Sequence, residues 1–93
     1  MNIEELNRMI DTKHKVHERV SVIYEMGNIP SMLANEYRNK VSQYDNMYNS
    51  IETMKEMTSK KETIDNLVDQ QIEVLNVRVN WELDWAKRAL VEQ

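Results

Sequence analysis

The 93-residue chain contains one glycine and one proline, and they stand three positions apart in Gly27-Asn28-Ile29-Pro30. Glycine suits the left-handed residue that ends a helix, and proline cannot continue the preceding one. This segment therefore predicts a helix-to-helix turn, and no comparable break occurs elsewhere. The short β-branched runs are better explained by helical periodicity than by alternation. The expected fold class is all-α: a three-helix, mainly antiparallel bundle, built as a long helical hairpin plus an N-terminal helix. Residues 1–93 fit a single helical domain.

The first helix is expected over residues 3–26, capped by Asn2 with Glu5 in the reciprocal position. Its apolar stripe is Ile3, Leu6, Ile10, Val16, Val20, Ile23 and Tyr24. The second is expected over 31–57, with a stripe of Leu33, Tyr37, Val41, Tyr44, Met47, Tyr48, Ile51 and Met54. Tyrosine in such a stripe wants a polar partner for its hydroxyl or a place at the rim of the core. The third is expected over 59–90, opened by a capping box at Ser59 and Glu62. Residues 57–60 carry no Gly or Pro, so the rival to a turn there is one continuous helix of about sixty residues, roughly 90 Å long.

The third helix has two apolar stripes side by side. One runs Ile64, Val68, Gln71, Ile72, Leu75, Val79, Leu83, Ala86 and Leu90; the other runs Leu67, Val74, Val77, Trp81 and Trp85. The rest of the wheel is polar: Asn66, Asp69, Glu73, Asn76, Asn80, Asp84 and Lys87. An ordinary surface helix carries an apolar arc of about 100°. The wider arc predicts apolar surface in excess of what two neighbouring helices cover. Leu67, Val74, Val77, Trp81 and Trp85 are therefore expected to form a protein interface, and the chain is expected to be a homo-oligomer or to bind a helical protein partner. Tryptophan is enriched at binding hot spots.

Composition narrows the function classes. With no cysteine, disulfides and thiolate metal sites are excluded. Small domains without them often gain stability by association. Net charge is −4 with both signs mixed, which gives no basic stripe for a nucleic acid polymer. No apolar run approaches the ~20 residues that span a bilayer. The N-terminal residues lack the basic and apolar pattern of a secretory signal, so the chain reads as cytoplasmic. His14 and His17 lie on one helix face after Asp11, but they do not supply the ligands a metal site on two helices needs; they read as surface or core-edge residues. No phosphate-binding glycine loop, nucleophile elbow or HExxH motif is present. No catalytic residue, metal or cofactor is expected, and the chain reads as a non-enzyme.

The tyrosines carry the alternative. Tyr37, Arg38, Tyr44 and Tyr48 combine aromatic faces with a guanidinium, the chemistry that stacks on a base and pairs with a phosphate. Tyr37-Arg38 and Trp85-Ala86-Lys87-Arg88-Ala89-Leu90, two short patches, resemble the phage cyclic-oligonucleotide sponges that blunt CBASS and Thoeris immunity. The length also resembles small accessory proteins of large phages. The resemblance implies a helical hairpin that oligomerises and sequesters a cyclic nucleotide between subunits.

Overall fold

The computed structural model describes residues 2–92, and for Glu92 the backbone alone. Three helices follow one another: α1 (Ile3–Glu25), α2 (Ser31–Glu56) and α3 (Lys61–Glu92). Gly27 ends α1 as expected, with φ +68°, and its N–H bonds the Tyr24 carbonyl at 3.2 Å. Pro30 stands immediately before α2 and its carbonyl accepts from Ala34 N–H at 3.1 Å.

The turn near 57–60 forms, so the continuous helix is ruled out. No residue with positive φ is used here: α2 closes at Met57, whose N–H bonds the Met54 carbonyl at 3.1 Å. The Lys60 N–H bonds Thr58 Oγ1 at 3.3 Å, and the first α3 bond runs from Ile64 N–H to the Lys60 carbonyl. The predicted capping box at Ser59 is therefore displaced: Lys60, not Ser59, precedes the helix. Asn2 likewise makes no side-chain cap; its carbonyl accepts from Leu6 N–H instead. Glu4, Glu5 and Glu62 at helix starts and Lys55 at a helix end sit favourably in the backbone dipoles.

Packing sets the order of the helices in space. Leu6 packs with Val68 and Leu75, whereas Val20 packs with Trp85, Ala86 and Ala89, so α1 runs parallel to α3. Ile51 packs with Leu67, and the Leu33 carbonyl reaches Trp85, so α2 runs antiparallel to both. The bundle is 49 × 21 × 15 Å along its principal axes. Helix α3 makes extensive contact with both partners, while α1 and α2 approach each other little. This explains the double stripe of α3. One half of its apolar arc faces α1 and the other faces α2, and the polar arc from Asn66 to Lys87 is exposed throughout. No helix among the described residues is long and apolar enough to cross a membrane.

Candidate functional site

The centre of the molecule is polar. Arg78 and Glu82, one turn apart on α3, are 4% and 1% exposed. Burying a charged group is costly unless it is paired and hydrogen-bonded, and here every helix contributes a partner. Arg78 Nε donates to Glu82 Oε1 at 2.9 Å. Tyr37 Oη, from α2, donates to Glu82 Oε2 at 3.1 Å. His17 Nδ1, from α1, lies 3.3 and 3.2 Å from the two Glu82 oxygens. Donation to the carboxylate calls for the hydrogen on Nδ1, and the same nitrogen also lies 3.1 Å from Tyr37 Oη and 3.5 Å from Arg78 Nη2, so its role follows the tautomer. Arg78 Nη1 reaches outward to Asp45 of α2, whose side chain is half exposed. Burial first, then the charge of Glu82 and the hydrogen bond to it, push the Tyr37 hydroxyl above the ordinary tyrosine value.

Aromatic rings close over this layer. Tyr37 lies 4.5 Å from Trp85, 5.1 Å from Tyr24 and 6.1 Å from Trp81, centroid to centroid. Trp85 has no exposed surface and donates its indole N–H to the Leu33 carbonyl at 3.0 Å. A second polar layer lies towards the α2–α3 turn. Gln71 is fully buried; its Nε2 donates to Glu52 at 2.6 Å and its Oε1 accepts from Lys55 at 2.9 Å. The hydrogen bond from Gln71, then one from Lys55 at 3.3 Å, hold the Glu52 carboxyl below its ordinary range.

The expected interface stripe is divided. Leu67, Val74 and Trp85 are buried inside the chain's own core, because α2 already covers that side of α3. Trp81 is half-buried, packed against the clusters of both Trp85 and Tyr44. Val77 alone of the five keeps large exposure, 43%.

The expected tyrosine–arginine cluster is divided too. Consecutive helix residues do not face each other. Tyr37 turns into the core, and Arg38 turns out to donate to Tyr24 Oη at 2.7 Å and to Asn35. Tyr44 is buried against Trp81, at 6.3 Å, and Tyr48 is half-buried between two clusters. Burial raises the Tyr48 hydroxyl above its ordinary value.

Where α1 and α2 diverge, a cavity of about 230 Å³ opens onto α3. Tyr44 and Tyr48 line it from α2, and Lys13 and His14 from α1. Asp11 pairs with Lys15 and not with either histidine. No group of three or more metal-ligating side chains occurs among the described residues.

No protein-family model, curated protein or solved structure matches the chain.

The sequence pattern of α3, with Gln71 as the single polar residue on its inner stripes, does not bring out Arg78, Glu82 and His17 as one unit. The signal was a strict heptad. Steps of seven from Ile64 reach Gln71, Arg78 and Trp85, and steps of seven from Val68 reach Leu75, Glu82 and Ala89. From Val68 and Gln71 onward, every position in the two series is buried. A heptad that stays in register through charged residues marks a polar layer in a bundle core.

Proposed function

We propose that this chain is a non-enzymatic helical interaction protein, acting by association with a second copy of itself or with a helical partner. The observation that carries this reading is apolar surface left open at the end of the bundle where the α1–α2 turn meets the end of α3. Met32 is 80% exposed and Val91 82%. They share a groove of about 450 Å³ with Pro30 and Leu33, edged by Lys87 and Arg88. A second groove between α1 and α3 is walled by Val16, Val20, Val22 and Leu83. Exposed apolar patches rimmed by charge are the usual footprint of protein contact sites, and methionine adapts its shape to a partner.

The buried ionisable groups favour the same reading, because their hydrogen bonds are directed at one another and hold helices together. The ligand-binding alternative keeps Tyr44 and Tyr48, which open on the interhelical cavity, but Tyr37 and Arg38 point apart.

Sedimentation equilibrium across the micromolar range tests the proposal. The wild-type chain should associate, and the surface pair Met32→Glu with Val91→Glu should shift it towards monomer with unchanged helicity. A wild-type chain that sediments as a monomer and captures no partner from its host extract would refute it.

A further inference from the structure

We propose that the cavity between α1 and α2 binds a small organic anion, its charged head between Lys13 and Arg78 and its apolar body against Ile10 and Leu75. This goes beyond the association reading and does not depend on it.

The cavity exists because α1 and α2 both lean on α3 and scarcely on each other. At about 230 Å³ it lies below the range of roughly 300–1,000 Å³ that takes drug-sized ligands, so it suits a smaller molecule. Its walls are mixed: Ile10, Val74 and Leu75 are apolar, and Tyr44, Tyr48 and Asn49 present ring faces and hydrogen-bonding groups.

Its charges are mostly of one sign. Lys13 and Arg78 both face it, with His14 beside them, and Asp45 supplies the one carboxylate among the lining residues. Among the described residues no carboxylate pairs directly with the Lys13 ammonium. Burial, then the like charge of Arg78, hold that ammonium below the ordinary lysine range. Asp45 and Glu82 offset part of this, and an anion placed there adds to that offset, since an opposite charge nearby favours the charged form.

Arg78 has two unequal partners. Glu82 on the inside is fully enclosed and held by three helices. Asp45 on the outside is a half-exposed side chain at the cavity wall. The outer carboxylate therefore takes the Nη1 contact that a ligand's carboxylate or phosphate would take, while the inner bond to Glu82 uses a different nitrogen, Nε. Arginine binds both anion types through the same fork of donors.

Calorimetric titration with benzoate and with phenyl phosphate at fixed ionic strength provides the test. Neutral benzamide and inorganic phosphate serve as controls. One equivalent of each organic anion should bind per chain. Benzamide should not bind, and inorganic phosphate should bind at least tenfold more weakly than phenyl phosphate. Lys13→Met, which keeps the apolar stem, should weaken binding roughly tenfold, equivalent to about 1.4 kcal/mol. Asp45→Asn should tighten it, because the competing carboxylate is gone; this variant carries the test if Lys13→Met alters the fold. Absence of binding by both organic anions overturns the proposal. So does wild-type affinity in folded Lys13→Met, or unchanged affinity in Asp45→Asn.

Discussion

Two layers of α3, one heptad apart, occupy the same buried stripe with opposite chemistry. The Trp85–Ala89 layer is apolar and takes its order from shape: an enclosed indole, small alanine gaps and a tyrosine ring against it. The Arg78–Glu82 layer is charged and takes its order from direction: polar groups from α1, α2 and α3 converge on one carboxyl group. Apolar packing tolerates shifts along a helix, because one methyl replaces another. A carboxylate contacted from three helices does not, because each helix must arrive at its own height. The apolar layer is therefore the main source of stability, and the charged layer sets the register of the three helices. Buried polar groups are best attested in this register role.

The contrast can be broken at either layer. At the apolar one a large effect is expected. Trp85→Ala should cost about 3–5 kcal/mol, through lost burial and the void left behind, read by urea denaturation. A loss below about 1 kcal/mol would mean that the indole is not the keystone of that layer.

Tyr37→Phe cuts between the two layers, since the ring belongs to the aromatic stack and the hydroxyl to Glu82. The ring contacts survive and one donor to a buried carboxyl group disappears, so the cost should be roughly 1.5–3 kcal/mol. A neutral result in denaturation would reduce the hydroxyl contact to a bystander.

Gly27→Ala leaves both layers untouched and tests the turn that sets the entry of α2. An added Cβ meets open space, with only the Glu25 carbonyl oxygen 3.9 Å away, so the penalty comes from the positive φ alone. It should be about 1–2 kcal/mol, seen as a lower Tm with unchanged helicity.

The smallest effect belongs to the second polar layer. Glu52 sits below its ordinary value of 4.5, with Gln71 as the main cause. A carboxyl lowered by folding contributes stability that is full above that ordinary value and is lost as pH falls through the folded one. The Glu52 side chain is nearly half exposed, so solvent screening keeps the contribution under about 1 kcal/mol. The advantage of wild type over Glu52→Gln should shrink as pH falls below 4.5; an advantage constant with pH would remove ionisation as its source.

Much of the fold was legible because two devices are local. Gly27 and Pro30 announce the first turn, and the polar arc of α3 separates its buried and exposed faces. The ends of α2 and α3 were nearly legible, since Thr58 makes a turn that a neighbouring serine imitates in sequence. The charged layer was not legible from hydrophobicity, because Arg78 and Glu82 look like surface residues until their partners are known. His17 lies 61 residues from Arg78 and 65 from Glu82, and no local pattern links such positions. The width of α3's apolar arc was visible. What produces it, a central position between two helices, depends on packing that only the three-dimensional arrangement discloses.

The register role of the charged layer is tested most directly by comparing Glu82→Leu with the double substitution Arg78→Met, Glu82→Leu in urea denaturation. The single change takes the inner partner from a buried guanidinium, leaving it only the half-exposed Asp45, and should cost about 3–5 kcal/mol; the double change removes both charges and should return stability to within about 1 kcal/mol of wild type or above it. Its amide spectrum should broaden as the helices lose a fixed register. A single variant as stable as wild type, or a double variant as destabilised as the single, would contradict a buried, mutually dependent pair at the centre of this bundle.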